Sequence, residues 1–271
     1  MDAQQGRIKL LSYNVQVGIP TKKYRHYITH SWKHLLPFSQ RQNNLDRIAD
    51  FISDFDIVGL QELDAGSIRS EFIHQPEYVA KKAGFPYCYS RVNRDLGIVA
   101  QNSLAIFSRC EAHRVVKHKL PSTIPGRGAL EAHFGSKKDP LVVILAHLSL
   151  SARGRKRQLE YIASLVNGYK HVVVMGDLNT EIESREIKGL LDSTTLSAPQ
   201  VSAHTYPSWN PKIAYDHILV TPDIHLGDSE VYGVKHSDHL PISIEVDVPH
   251  EIFAHQACKN PTTNNSATIL N

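Results

Sequence analysis

Val172-Val173-Val174-Met175-Gly176-Asp177-Leu178-Asn179 is the stretch that decides how the chain reads. Its first four residues are apolar with no polar alternation, the pattern of a strand buried on both faces. Gly, Asp and Asn follow at once, so polar chemistry stands where the buried strand ends. Loops at such ends are where sites are built on rigid scaffolds. Upstream, Leu141 to Ala146 repeats the pattern and ends in His147. Between the two runs, Leu159, Ile162, Ala163 and Val166 keep one helical face apolar, and Asn167-Gly168 closes the helix.

The rest of the chain continues the alternation. Ile8 to Tyr13 reads as a strand ending at Asn14. Ser39 with Gln42 forms a capping box, and Leu45, Ile48, Ala49, Ile52 and Phe55 give the helix behind it an apolar face. Ile57 to Leu60 returns to strand and is followed by Gln61-Glu62. A short helix near 76–83 is stopped by Gly84 and Pro86. Further strands are expected at Ser103–Ser108, Ala129–Phe134, and near 216–221, 230–234 and 242–247. The Ser-, Thr- and Pro-rich stretch Ser193–Pro211 reads as loop. These readings add up to one α/β domain over residues 1–249, with a loose polar tail over 250–271.

With 271 residues and 41% hydrophobic content, the chain can bury a full core. A net charge of +3 permits an anionic partner without requiring one. Cys88, Cys110 and Cys258 form no Cys-x-x-Cys pattern, which reads as reduced thiols and a cytoplasmic location. Met1 to Lys9 lacks the apolar core of a secretory signal. The uncharged apolar stretch Pro140–Ala152 is too short to span a bilayer, so no transmembrane segment is expected. No obligate protein partner is evident.

The polar residues at strand ends suit one another. Asp216-His217 opens the strand at 216, and Ser237-Asp238-His239 precedes Leu240-Pro241-Ile242. Singly, each has a structural explanation as a cap, a turn or a core histidine. Together, Glu62, Asp177 and Asp238 are hard oxygen ligands, and Asn14 and Asn179 offer amide oxygens. Mg²⁺ prefers such donors, and the absence of Cys disfavours structural zinc. His147 and His239 can move protons near neutral pH. A carboxylate such as Asp216 can orient His239. A metal, an activated water and proton-transfer groups suit phosphate-ester cleavage.

In order, Tyr13-Asn14, Gln61-Glu62, His147-Leu148, Gly176-Asp177-Leu178-Asn179, Asp216-His217 and Ser237-Asp238-His239 resemble the motifs of the endonuclease/exonuclease/phosphatase superfamily, whose fold is shared with deoxyribonuclease I. The resemblance spans roughly residues 8–247. It implies a four-layer sandwich, with two mixed β-sheets face to face and helices outside. It implies Glu62 as principal ligand of Mg²⁺, with Mn²⁺ as substitute, supported by Asn14 and Asp238. It implies that Asp177 positions or activates the attacking water, that Asn179 holds the scissile phosphate, and that His239, paired with Asp216, is base or phosphate stabiliser. His147 is implied to stabilise the transition state or protonate the leaving oxygen. A His at that position is unlike the abasic-site nucleases of this superfamily. It is shared by the deoxyribonuclease-like enzymes, the sphingomyelinases and several phosphatases. Family members often carry Asn in the segment matching Ser103–Ile106, where this chain has Leu104, with Asn102 two residues earlier.

Substrate choice falls to basic and aromatic segments. The insert from Lys22 to Arg41 carries five cations and seven aromatic or histidine side chains with no Asp or Glu. It reads either as a packed helical insert or as a surface for single-stranded nucleic acid or phospholipid. Arg153, Arg155, Lys156 and Arg157 crowd a helix start, where the dipole disfavours cations. Arg127, Arg153, Arg155 and Trp209 are the candidate substrate-binding residues, with Tyr206 beside Trp209 as a cleft wall. The leading expectation is a metal-dependent nuclease. The alternatives are a sphingomyelinase-type phospholipid phosphodiesterase, a small-molecule phosphatase and a non-catalytic binding member.

Overall fold

The computed structural model describes residues 6–19, 40–122, 126–199, 204–253 and 258. The basic aromatic insert and the capping serine Ser39 therefore lie outside the described residues, apart from Gln40 and Arg41 at the start of α1. The elements run β1 (Gly6–Asn14), α1 (Gln40–Ile52), β2 (Ile57–Asp64), α2 (Gln75–Lys82), β3 (Tyr87–Asp95), β4 (Gln101–Ser108), β5 (Ala112–Lys119) and β6 (Gly128–Phe134). They continue as β7 (Leu141–His147), α3 (Ala152–Val166), β8 (His171–Asp177), α4 (Arg185–Ser193), β9 (Asp216–Val220), β10 (His225–Val231), β11 (Ile242–Val248) and α5 (His250–Phe253). No helix among the described residues is long and apolar enough to cross a membrane.

The strands form two mixed sheets. One is six-stranded in the order β10-β11-β1-β2-β4-β3, and the other five-stranded in the order β5-β6-β7-β8-β9. β1 with β2 and β7 with β8 are parallel pairs, and the remaining neighbours are antiparallel. Alternation within the apolar strands sorts their side chains into layers. Val173 and Met175 face the other sheet and share the inter-sheet core with its Leu10, Ile106 and Ile244. Val172 and Val174 face Leu159, Ile162, Ile187 and Leu190 of α3 and α4. Across the molecule, Leu11, Val58 and Leu60 face Ile48 and Ile52 of α1 and Val79 of α2. Both central strands are buried on both faces because each sheet is covered by the other sheet on one side and by helices on the other. The result is the four-layer sandwich.

β3 and β5 are half-exposed outer strands whose polar residues hide any apolar run, so neither shows in the sequence pattern. α4 buries only Ile187 and Leu190 and is likewise missed. β10 sits at 225–231 rather than 230–234 and is almost wholly exposed, as an edge strand rich in polar groups can be. The expectation of three reduced thiols is corrected: Cys110 and Cys258 form a disulfide across 148 residues, and Cys88 is free. Such a bond belongs to an oxidising compartment, so the cytoplasmic expectation loses the argument it drew from cysteine usage. The tail expected from His250 also begins by packing. Ile252 is buried in the inter-sheet core, and its carbonyl accepts from the Ser136 amide at 2.8 Å. The two apolar residues Ile252 and Phe253 explain that anchoring within a polar sequence.

Candidate active site

The register places the chemistry at one end of the sandwich. His147, Asp177 and Asp216 form one row across β7, β8 and β9. Asn14, the last residue of β1, stands opposite Gln61 of β2. His239 lies three residues before β11, whose first residue pairs with Ser12 of β1. Residues from five separate segments are thereby gathered without any of them being neighbours in sequence.

Two backbone features set the key carboxylates. The pairing of β2 with β4 slips between Leu60 and Leu63, and Glu62 sits inside this bulge with a φ of 60°. A bulge re-aims a side chain that a regular pleat would direct elsewhere. Gly176 adopts a φ of 137°, and a Cβ there would stand 1.9 Å from the Ala146 carbonyl oxygen. Only glycine allows β8 to lie that close to β7 immediately before Asp177. Beneath Glu62, the buried Asp64 accepts the Ser67 amide at 2.7 Å and the Ser70 hydroxyl at 2.7 Å, and also pairs with Arg69. Burial opposes its charge, but these amide, guanidinium and hydroxyl donors hold its pKa down to about 2. This anchors the turn that follows Glu62.

Asp177 is the hub. Its Oδ1 accepts the Asn179 amide at 2.9 Å, and its Oδ2 accepts Asn14 Nδ2 at 3.0 Å. His147 Nε2 lies 3.5 Å from Asp177 Oδ2 and 3.8 Å from Glu62 Oε1. His239 Nε2 approaches Asp177 Oδ2 to 3.8 Å. On its other side, His239 Nδ1 donates to Asp216 Oδ2 at 2.8 Å, and Thr205 Oγ1 donates to the same oxygen at 2.5 Å. The Tyr206 ring lies 4.9 Å from the imidazole, centre to centre. Asn179, at a φ of 53°, donates through Nδ2 to the Leu148 carbonyl at 3.0 Å.

This packing separates the protonation states of the two histidines. Burial works against the charge of His239, but Asp216 and Asp177 outweigh it and hold the imidazolium well above the usual range. Burial, reinforced by Arg127 and His239, pushes His147 well below its usual range and leaves it neutral at about pH 7. Burial raises Asp177 to about 7, with His239 opposing and Asp216 adding to the rise. Desolvation also raises Glu62, followed by the neighbouring charge of Asp238. Glu62 still keeps 32% of its side chain exposed and is the carboxylate most open to the cleft.

The residues present fit a divalent cation. Three carboxylates and an amide gather with no lysine among them, and burial raises Glu62 and Asp177 by desolvating their charged forms, a penalty that a bound cation offsets. One donor atom each from Asp177, Asp216 and His239 falls within a 4.8 Å cluster. However, His239 and Asp216 are already bonded to each other, and an ion between them would break that pair. Glu62, with Asn14 hydrogen bonded beside it and Asp238 near, offers the freer oxygen set.

The predicted catalytic and metal residues Asn14, Glu62, His147, Asp177, Asn179, Asp216, Asp238 and His239 thus meet at one end of the sheets. The predicted substrate-binding residues divide. Arg127 lines a cavity of about 430 Å³ shared with Glu62 and His147. Arg153 is exposed on the first turn of α3 and does not line that cavity. Arg155 pairs with Glu186 at 2.8 Å and donates to the Leu150 carbonyl at 2.5 Å, so it ties the α3 start to α4 and its preceding loop. Trp209 lies half-buried in a loop fixed by Ser208, whose amide donates to the Asp238 carbonyl at 2.7 Å. Leu104 is fully buried in the inter-sheet core, whereas Asn102 lines the cavity. His217, next to Asp216, is structural: its Nε2 meets the Thr180 carbonyl at 2.7 Å. Thr205 and Arg94 carry no sequence signal, one lying in a loop and the other in an unrecognised strand.

The family model described as the Endonuclease/Exonuclease/phosphatase family matches residues 11–239. The chain belongs to this family, and is a divalent-metal-dependent, phosphoester-hydrolysing enzyme. No curated protein matches it in sequence. Among solved structures, an endonuclease/exonuclease/phosphatase family protein from Bacteroides thetaiotaomicron is similar, with a TM-score of 0.69 and 15% identity over 91% of this chain and 99% of that one. A mannosyl-6-phosphatase from the same species has a TM-score of 0.64 and 16% identity over 88% of this chain and 99% of that one. The human Nocturnin catalytic domain with bound sulfate has a TM-score of 0.61 and 14% identity over 90% of this chain and 95% of that one. At these identities the likeness speaks for the fold.

Proposed function

We propose that this family member is a Mg²⁺-dependent phosphodiesterase that cleaves nucleic-acid phosphodiester bonds. The observation that carries the reading is the chain Asp216–His239–Asp177, with 2.8 Å and 3.8 Å steps, facing the partly exposed Glu62. Asp177, raised to about 7, takes the proton of the attacking water. Its position directly after a buried strand holds it to the precision that attack requires. His239 offers its Nε2 proton to a phosphoryl oxygen, while Asp216 holds its Nδ1–H and keeps the ring oriented. Neutral His147 donates a hydrogen bond toward the developing charge, and the amide of Asn179 orients the phosphate. Glu62, with Asn14 and Asp238 beside it, would hold a divalent ion, which would supply charge neutralisation to the reacting phosphate.

Nucleic acid is favoured by the arginine-lined cavity beside Glu62, which offers cations beyond the reacting phosphate. A second reading, a phosphatase of small phosphorylated molecules, draws support from the similarity to the mannosyl-6-phosphatase. The test is a turnover panel of single- and double-stranded DNA, RNA, sphingomyelin and mannose 6-phosphate. Hydrolysis of a nucleic acid that stops with EDTA and returns with Mg²⁺ or Mn²⁺ is the expected result. Glu62→Gln should weaken the response to Mg²⁺ while leaving the circular-dichroism spectrum intact. Turnover of mannose 6-phosphate alone moves the assignment to the second reading, and full activity in EDTA removes the metal from the mechanism.

A further inference from the structure

The cavity beside Glu62 has a basic wall that the reaction itself does not use. Arg127 leads into β6 and Arg94 lies near the end of β3, and both line the cavity. Arg69 and Arg155 each hold a carboxylate partner, whereas Arg94 and Arg127 form no ion pair within 4.0 Å among the described residues. The two are held side by side by the backbone. Gly126 has a φ of 109°, and a Cβ there would come within 2.7 Å of Arg94 Cβ and 2.9 Å of its Cγ. The loop carrying Arg127 therefore lies directly against the Arg94 stem. Arg91, on the same strand, is bonded to Asn93 and does not line the cavity.

The start of α3 lines the same cavity. Ser149 and Ser151 are among its lining residues, and Ser151 Oγ accepts the Gly154 amide at 3.3 Å as the N-cap of α3. This 15-residue helix has no acidic residue in its first turn. Two guanidiniums without an ion pair among the described residues and a helix N-terminus share one cavity; Glu62 and Asp177 offset part of the Arg127 charge, and an anion matches what remains. The scissile phosphate belongs between Asp177, His239 and Glu62, so this second anion is a different group. A phosphomonoester carries close to two charges near neutral pH, against one for a chain phosphodiester, and matches two guanidiniums.

We propose that the Arg94–Arg127 cavity is a second anion subsite that takes a terminal phosphomonoester of the substrate, separate from the phosphate that is cleaved. The assignment rests on the phosphoesterase reading above. Two sources share this chemistry: the phosphorylated end of a nucleic acid, and a small molecule carrying two phosphates.

The test reads binding without turnover, by isothermal titration calorimetry in Mg²⁺ on the full chain carrying Asp177→Asn. Two ligand pairs are compared: thymidine dinucleotide with and without a 5′-phosphate, and fructose 1,6-bisphosphate with fructose 6-phosphate. The added phosphate is expected to tighten at least one pair by about tenfold or more, as two charge-assisted hydrogen bonds do. Adding Arg94→Gln should shrink that advantage to less than about threefold. Arg94 is exposed, so this change leaves the fold in place. A gain confined to the dinucleotide assigns the subsite to a nucleic-acid end, and a gain confined to the hexose assigns it to a small bisphosphate. Equal affinities within both pairs, or an advantage unchanged by Arg94→Gln, overturn the subsite. Failure of the phosphoesterase reading shows separately, as no metal-dependent turnover by the unaltered chain.

Discussion

His239 Nδ1 stands 2.8 Å from Asp216 Oδ2, an oxygen that also receives the Thr205 hydroxyl at 2.5 Å. Asp216 is thus saturated on that oxygen from two sides and cannot turn without releasing both. Its side chain is fully buried, as a group that orients rather than reacts can be. The geometry joins His239 and Asp216 into one unit and leaves Nε2 facing Asp177.

Coupled residues lose activity together rather than independently. His239→Ala should lower kcat by at least about a hundredfold, the lower range for a positioned proton donor or acceptor. Asp216→Asn should cost less, and Asp216→Asn combined with His239→Ala should be little worse than His239→Ala alone. Multiplying losses, measured as kcat of the four forms, would show that Asp216 serves another group.

Asp177 should trade stability for activity. Its folded pKa of about 7 lies above the ordinary value of 3.8 for an aspartate. The folded protein therefore keeps a proton that the unfolded chain gives up, and stability falls as pH rises from 3.8 through about 7. Removing the charge with Asp177→Asn should raise Tm in EDTA at about pH 8 while abolishing turnover. Activity of the unaltered enzyme should climb as Asp177 loses its proton, then fall at higher pH as His239 loses its own. A lowered Tm in the variant would contradict the raised carboxylate.

Glu131 lies outside the catalytic cluster, on the α3-facing side of β6. Its side chain, 2% exposed, meets His133 Nε2 at 2.5 Å and His118 Nε2 at 2.9 Å. Burial opposes its charge, yet the two histidines hold its pKa down to about 2, below the ordinary 4.5 of a glutamate. A depressed carboxylate stabilises the fold above its unfolded pKa, and that contribution is lost as pH falls through about 2. Glu131→Gln should cost up to about 3 kcal/mol near pH 7 in urea unfolding, from the size of the shift. It should also flatten the acid loss between about pH 4.5 and 2, with kcat unaffected. An unchanged midpoint in urea would mean the pair contributes nothing net.

The sequence by itself determined the buried frame and most of the chemistry. Leu141–Ala146 and Val172–Met175 are apolar throughout because the physics of a doubly covered strand leaves no room for polar alternation. Their ends carry His147 and Asp177 because only there does the chain leave the core. Strands β3 and β5 stayed illegible since half-exposed outer strands tolerate any side chain, and with β3 the sequence concealed Arg94. Tertiary structure alone decided the rest. The bulge that turns Glu62 into the cleft depends on how β2 registers against β4, a long-range pairing with no local signature. The bond between His239 and Asp216 spans 23 residues, and that between Asn14 and Asp177 spans 163. The same distance in sequence hid the Cys110–Cys258 pair and separated Arg155, claimed by Glu186, from Arg127, left facing the cavity. Residue type records what a side chain is able to do; which partner it meets is set by packing between segments far apart in the chain.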